Sequence, residues 1–159
     1  MTNQTEQTEQ TPEVTPEPKE APKYQLDTKA FEASGRSFEF AIYSRLSKSG
    51  KAVMDDGKIA GGFVTPAEYM KVMANICSNE PDFLLPGTPI TEAVFKLLLA
   101  NTNKAMTLDE IKSGLTIAWS SVIYLKNLSD DVLRRMLDKE NDYFIKRAVI
   151  RRRRSRSAS

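Results

Sequence analysis

The 159-residue sequence predicts a mainly α-helical fold, with a single small domain at residues 24–150 and a minor β-hairpin. Two observations support this prediction. Several segments begin with a helix-capping pattern, and each of these starts is followed by apolar residues spaced three or four apart. The flanking segments, residues 1–23 and 151–159, contain too few large apolar residues to offset the entropy of ordering. We therefore expect both flanks to be disordered.

The first helix and the hairpin are predicted within residues 37–63. Apolar residues recur at helical spacing in Ser37–Leu46, so this segment is expected to be a helix. The dipeptide Asp56-Gly57 lies between Lys51–Asp55 and Lys58–Phe63. Because an Asp-Gly pair between two short segments favours a tight turn, the two segments are expected to pair as strands.

The next two helices have clear starts. Thr65 can cap a helix, Pro66 suits its first position, and Glu68 completes a capping box. Thr88-Pro89 opens the second of these helices in the same way. Their apolar faces, which predict packing against a core, are Tyr69, Val72, Met73 and Ile76 in the first helix and Ile90, Val94, Leu97 and Leu98 in the second.

Three further elements are predicted in the last third of the chain. A capping box at Thr107–Glu110 begins a short helix, and Ser129–Asp131 caps another with its two acids well placed against the helix dipole. Tyr143–Ile150 is rich in residues that favour strands, which predicts a β-strand. The alternative is that Asp138–Ile150 continues as a helix that ends in the arginines.

Composition argues against several classes of enzyme. The chain has no histidine and one cysteine, Cys77. Zinc sites built from Cys and His, histidine-based triads and disulfides within the chain are therefore excluded. No histidine can activate the Cys77 thiol, so this residue is expected to be a buried small hydrophobe. We expect a non-enzymatic protein without catalytic residues, metal site or cofactor.

The sequence also predicts a location. No stretch approaches the roughly 18–20 apolar residues of a membrane span, and residues 1–23 lack the apolar core of a signal peptide. We expect a soluble protein with no membrane partner. Its expected location is the cytoplasm, in association with the nucleoid. If the source is eukaryotic, the expected location is the nucleus.

Positive charge is concentrated at the end of the chain. From Lys146 onward there are seven basic residues and no acidic one, whereas residues 24–145 hold 14 basic and 16 acidic residues. Residues 1–23 are acidic, with five Glu and two Lys. A run of like charges stays extended and attracts polyanions such as nucleic acid. The basic segment therefore predicts a class of partner, although a solvated tail without a partner is the alternative.

Residues 107–128, TLDEIKSGLTIAWSSVIYLKNL, carry a resemblance to a known family. This stretch resembles the helix-turn-helix of winged-helix DNA-binding domains, whose recurrent positions correspond here to Thr107, Glu110, Ile111, Ile117 and Val122. Two positions depart from the pattern, because Lys112 replaces a small residue and Thr116 replaces the turn glycine. The resemblance implies a winged-helix-like part at residues 88–150, with Tyr143–Ile150 as a strand of the wing. A plain helical hairpin remains the alternative.

In a helix-turn-helix, Ile111 and Leu115 would meet Val122 and Leu125 across the turn, which leaves the other face of the second helix outward. This outward face would offer Trp119, Ser120, Ser121, Tyr124, Lys126 and Asn127, which suit phosphates and base edges. The predicted nucleic-acid-binding residues are Ser120, Ser121, Tyr124, Lys126, Asn127, Arg151, Arg152, Arg153, Arg154 and Arg156.

The sequence thus favours a small nucleic-acid-binding protein, with DNA preferred over RNA. In this interpretation the folded domain at residues 24–150, here called the body, positions the protein on the nucleic acid, and the arginine tail at residues 151–159 supplies affinity. The alternative is a protein–protein interaction or assembly module whose basic tail is a regulatory or non-specific tether. A protein partner and a homo-oligomer both remain open at this point.

Overall fold

The computed structural model describes residues 21–59 and 64–149, and this part of the chain is mainly helical with one small antiparallel sheet. The order of elements is β1 (Lys23–Leu26), α1 (Thr28–Ala33), α2 (Phe38–Tyr43), α3 (Lys48–Ile59), α4 (Pro66–Asn75), a 3-10 turn (Cys77–Asn79), α5 (Ile90–Ala100), β2 (Met106–Thr107), α6 (Leu108–Ala118), a 3-10 helix (Ser120–Leu125), α7 (Asp130–Asp138) and β3 (Ile145–Arg147). The mainly helical fold class is confirmed.

Helix starts that were predicted from capping patterns agree with the structure. The Glu68 carboxylate accepts a hydrogen bond from the Thr65 backbone N–H at 3.3 Å, which begins α4. The Thr107 hydroxyl accepts from the Glu110 N–H at 3.1 Å at the start of α6. At the start of α7 the Ser129 hydroxyl accepts from the Val132 N–H. Each of these bonds satisfies a backbone donor that has no partner inside the helix.

The predicted hairpin around Asp56-Gly57 is wrong, because α3 runs as a helix from Lys48 to Ile59. Gly50 and Met54, one helical turn apart, are both buried, so packing of this face against α4 outweighs the turn preference of the Asp-Gly pair. The backbone of residues 60–63, at the end of the second predicted strand, lies outside the described residues.

The sheet brings together segments that are distant in sequence. Its strand order is β2-β1-β3, and both neighbours of the central strand are antiparallel to it. Tyr24 lies opposite Met106 on one side and opposite Arg147 on the other. Lys23 was expected to be the last residue of a disordered segment, but it begins β1 and pairs with Thr107.

Two asparagine side chains extend the short hydrogen-bond ladders of this sheet. The Asn103 amide accepts from the Leu26 N–H at 2.8 Å and donates to the Leu26 carbonyl at 3.1 Å, three residues before β2 begins. On β3, the Asn141 amide accepts from the Ile145 N–H and donates to the Ile145 carbonyl, both at 3.1 Å. The second pair occupies backbone groups of β3 that would otherwise be open to another strand.

The core is one continuous cluster of apolar side chains from the helices and the sheet. Phe31 of α1 is at its centre, in edge contact with Phe38 at 5.5 Å and with Phe144 at 5.6 Å between ring centroids. Cys77, which was expected to be a buried small hydrophobe, is buried with a free thiol. Three helices pack against the sheet: α5 contacts β1, α6 contacts β2 and α7 contacts β3.

Candidate nucleic-acid interface

The segment that resembles a helix-turn-helix contains one α-helix followed by a 3-10 helix. α6 continues to Ala118, past the predicted end near Leu115, and Ile111 and Leu115 are buried as expected. The prediction of a second α-helix is wrong, since Ser120–Leu125 is a 3-10 helix with no fully buried residue. A 3-10 helix of six residues does not provide the long α-helical face that enters a major groove in this family.

Trp119 is the residue of this segment whose position differs most from the prediction. It was expected on the outward face, but its side chain is 0% exposed. Its indole N–H donates to the Leu85 carbonyl at 3.1 Å. The ring is thus a core residue that attaches the end of α6 to the loop before α5, and it cannot stack on a base.

The predicted contact across the turn is formed only in part. Val122 is partly buried against the core, whereas Leu125 is 70% exposed and does not pack inward. Ile117, which the resemblance places in the turn, lies within α6 and is 78% exposed. These two positions leave apolar side chains at the surface instead of closing a helix-turn-helix.

The nucleic-acid-binding residues predicted in the body lie close together in sequence, but they differ in whether their polar groups are open to a ligand. Ser120, Ser121 and Tyr124 are exposed, with Tyr124 at 80%, and their hydroxyls make no hydrogen bond within the described residues. The Lys126 ammonium donates to the Pro86 carbonyl and lies 4.7 Å from the centroid of the Trp119 ring.

Asn127 is exposed, but it also has a structural role. Its side-chain oxygen accepts from the Ser129 N–H at 3.3 Å, next to the start of α7. The Tyr124 ring and the two serine hydroxyls are therefore the predicted groups that are most open to a ligand. To bind a ligand, Lys126 and Asn127 would have to share or give up the hydrogen bonds that they make within the protein.

The five predicted tail residues, Arg151, Arg152, Arg153, Arg154 and Arg156, lie outside the described residues. The segment before them was predicted to be a strand, and β3 confirms a strand at Ile145–Arg147, so the helical alternative is wrong. The expected wing is not formed among the described residues. The partner of β3 there is β1, from the other end of the chain, rather than a neighbouring strand of a hairpin.

The last cations of the body are already paired with carboxylates. Lys146 lies 3.4 Å from Asp27, and the Arg147 guanidinium makes two hydrogen bonds to Asp138, at 2.7 and 2.6 Å. A fork of this kind is among the stronger charge-assisted contacts in proteins. These pairs leave β3 itself with little free positive charge.

The pKa values around these pairs change in the direction that the contacts require. The hydrogen bond from Arg147 lowers the pKa of Asp138, and the Ala30 N–H followed by Lys146 lowers the pKa of Asp27. Burial, with a hydrogen bond to Asp138 at 3.0 Å, raises the pKa of the Tyr24 hydroxyl. Sequence reasoning missed this triad of Tyr24, Asp138 and Arg147, because only the β1–β3 register brings its members together.

A second polar cluster lies beside Cys77. The Ser47 hydroxyl donates to the Glu80 carboxylate at 3.0 Å and lies 3.3 Å from the Cys77 sulfur. Across a cavity of about 180 Å³, Lys96 donates to the Phe83 carbonyl, and burial lowers the pKa of its ammonium. Since each of these groups has a partner within the protein, we interpret the cluster as structural.

No group of three or more Cys, Asp or Glu side chains is arranged to hold a metal ion in residues 21–59 and 64–149. In the same ranges, no helix has both the length and the apolar character that crossing a membrane requires.

Comparison of the chain with protein-family models, with curated proteins and with solved structures finds no match.

Proposed function

We propose that this protein is a small non-enzymatic nucleic-acid-binding protein that attaches to DNA, in preference to RNA, through the arginines of residues 151–156. The observation that carries the proposal is the distribution of charge. Five arginines occur within six residues, while residues 24–145 hold more acidic than basic side chains. Release of condensed counterions by such a segment favours binding to any polyanion and depends strongly on salt.

The ion pairs of β3 support the assignment of affinity to the arginine segment. Asp27 and Asp138 neutralise Lys146 and Arg147, so β3 itself offers little free positive charge to phosphates. Because β3 is paired to β1, the strand that precedes the arginine segment is held at a fixed point of the folded body. The body would then orient the protein on the nucleic acid while the arginines supply most of the attraction.

A smaller contribution from the body is assigned to Ser120, Ser121 and Tyr124. Their exposed hydroxyls suit contacts to phosphates, and the Tyr124 ring can stack on an unpaired base. We do not assign base reading in a major groove to this surface, because Ser120–Leu125 is a 3-10 helix.

One observation favours the second candidate, a protein–protein interaction module. Leu85, Ile117, Tyr124 and Leu125 are between 55% and 80% exposed. They lie on adjoining segments, which are joined by the bond from Trp119 to the Leu85 carbonyl. We call these four residues the apolar patch. Exposed groups of large apolar side chains are common at protein interfaces.

Mobility shifts with double-stranded DNA, single-stranded DNA and RNA at two salt concentrations test the proposal. Replacing the five arginines by glutamine should weaken binding to all three nucleic acids and remove most of its salt dependence. Tyr124→Ala should lower affinity for single-stranded nucleic acid more than for duplex, because stacking needs an unpaired base. Val53→Ala, at an exposed apolar residue outside the patch, is the matched control.

Absence of binding to all three nucleic acids by the wild-type chain at low salt would refute the proposal. In that case the apolar patch would become the main candidate. Its test is self-association or capture of a protein partner by the wild-type chain, with loss of that association in Tyr124→Ala and Leu125→Ala.

A further inference from the structure

The apolar patch lies on two segments that contain no charged residue. Residues 83–91 and 113–125 hold no Asp, Glu, Lys or Arg, although charged residues make up 28% of the chain. The hydrogen bond from the Trp119 indole to the Leu85 carbonyl joins the two segments in the fold. Depletion of charge together with exposed aromatic and aliphatic side chains is typical of the centre of a protein interface.

The charged residues that flank the second segment already have partners within the body. Lys112 lies 3.1 Å from the Asp130 carboxylate, and the Lys126 ammonium donates to the Pro86 carbonyl. These contacts leave little free charge with which a partner of opposite charge could be selected. In a symmetric contact between two copies, each charge near the twofold axis would face a like charge, so a surface without charge is what such a contact requires.

A groove beside the patch can accept a projecting side chain. Its volume is about 340 Å³, and its apolar lining includes Phe83, Leu84, Leu97, Ala100, Ile117 and Ala118. Among the described residues that line it, Glu80 is the one ionisable residue, and its carboxylate accepts from the Ser47 hydroxyl at 3.0 Å. Ile117 belongs to both the groove and the patch. The exposed Tyr124 and Leu125 of one copy can therefore fill the groove of a second copy, which does the same in return.

The area of the patch supports a small interface. Large side chains of this kind present roughly 150–250 Å² each, so exposed fractions of 55–80% over four residues leave about 400–700 Å² open on each copy. The largest apolar patch of a typical monomeric protein is about 300–600 Å². Two copies would together bury about 800–1,400 Å², which is at the lower end of specific interfaces.

We propose that the apolar patch and the groove beside it are a self-association surface, through which two copies of this chain form a weak symmetric dimer. Lack of charge and the presence of projection and groove on one surface favour a second copy over a partner of another sequence. This inference goes beyond the proposed function. It also limits one part of that function, because a dimer would cover the Tyr124 ring and leave it unable to stack on an unpaired base.

Sedimentation equilibrium of the full chain without nucleic acid tests this directly. We expect the average mass to rise from the chain mass of 17.9 kDa toward twice that value as concentration increases. For an interface of this size the midpoint should be at about 10–100 µM. The association should persist when salt is raised from about 0.15 M to about 0.5 M, because apolar contacts are not screened as ionic contacts are.

Three lysine substitutions identify the surface. Ile117→Lys and Leu125→Lys each add a charge to the patch that would be buried or would meet its own copy, so each should weaken the dimer at least about 10-fold. Phe40→Lys is the matched control, because Phe40 is 68% exposed on α2, outside the patch, and this change should leave the association unaltered. Far-UV circular dichroism checks that the three variants keep the helical fold.

Amide resonances recorded at low and high protein concentration locate the contact. We expect the largest concentration-dependent shifts at Leu85 and in residues 116–125. Shifts confined to other residues would overturn the proposal, since the two copies would then meet elsewhere.

A mass of 17.9 kDa at every concentration would overturn it as well. The same holds for association that is lost at 0.5 M salt, which would indicate an ionic contact, and for equal weakening by all three lysine variants. None of these measurements uses nucleic acid. A monomer that binds nucleic acid would therefore refute this inference alone, and a dimer that binds none would refute the proposed function alone.

Discussion

Replacement of Trp119 provides a sharp test of how this side chain packs in the core. The indole is fully buried and donates to the Leu85 carbonyl, so Trp119→Ala should create a large cavity and leave this carbonyl without its donor. Truncation of a buried aromatic ring to Ala costs about 3–5 kcal/mol. With a urea dependence of about 2 kcal/mol per molar, the unfolding midpoint should fall by about 2 M.

The measurement is urea denaturation followed by far-UV circular dichroism, because Trp119 is the single tryptophan and its fluorescence is lost in the variant. Tyr124→Ala is the matched control, since this ring is 80% exposed and its loss should change the free energy of unfolding by less than about 0.5 kcal/mol. A cost below about 1 kcal/mol for Trp119→Ala, or an equal cost in both variants, would refute the burial of Trp119 and return it to the surface expected from the sequence.

Three further predictions concern the core, the helix caps and the sheet. Gly50→Ala should destabilise the protein although alanine favours helices, because the added Cβ would lie 2.7 Å from the Cys77 sulfur; combining it with Cys77→Ala should recover part of the loss, and additive costs in denaturation would contradict this contact. Ser129→Ala should cost about 1 kcal/mol through loss of the cap on α7, as measured by thermal unfolding, and no change would show that the cap is dispensable. Because Arg147 lowers the pKa of Asp138 in the folded protein, this carboxylate contributes stability above its unfolded pKa of about 3.9, and the contribution is lost as pH falls through the folded value. Asp138→Asn should therefore make the loss of stability between about pH 5 and pH 2 shallower. Asp56→Asn should not, because the exposed Asp56 carboxylate makes no hydrogen bond within the part of the chain that the structure describes; equal acid profiles for the two variants would count against the pair.

Helix starts were predictable because their causes are local. The Thr-Pro patterns place a proline at or just before the first turn of α4 and α5, and the Ser-Asp-Asp pattern caps α7. All three helices begin within one residue of the predicted start. The Asp56-Gly57 hairpin failed for the opposite reason. Its turn preference is local, but the burial of α3 at Gly50 depends on Val72 of α4 and on Cys77, which lie more than 20 residues further along the chain.

The sheet and the Tyr24–Asp138–Arg147 triad could not be derived from sequence patterns. The strands are two to four residues long, which is too short for alternation of apolar residues to be visible, and their partners are about 80 to 120 residues away. Trp119 illustrates the limit of a motif resemblance. Residues 107–128 match a helix-turn-helix in spacing, but the burial of this ring depends on the loop at Leu85, which lies outside the motif.

The candidate site also has features that the sequence predicts and features that it does not. The charge of the arginine segment is a property of the sequence alone, and it was evident without a structure. The exposure of Ser120, Ser121 and Tyr124 could not be predicted, because it depends on tertiary packing. The same holds for the hydrogen bond from Lys126 to the Pro86 carbonyl. The pairing of Lys146 and Arg147 with acids could not be inferred from composition, and it changes which cations can contact phosphates.

The most direct test of the proposed function is the salt dependence of duplex DNA binding, measured by fluorescence anisotropy for the wild-type chain and for the variant with all five arginines replaced by glutamine. Each duplex phosphate contact contributes about 0.9 to the slope of log affinity against log salt, so the slope should fall by up to about four units in the variant. An unchanged slope, or wild-type binding that does not depend on salt, would contradict attachment through residues 151–156.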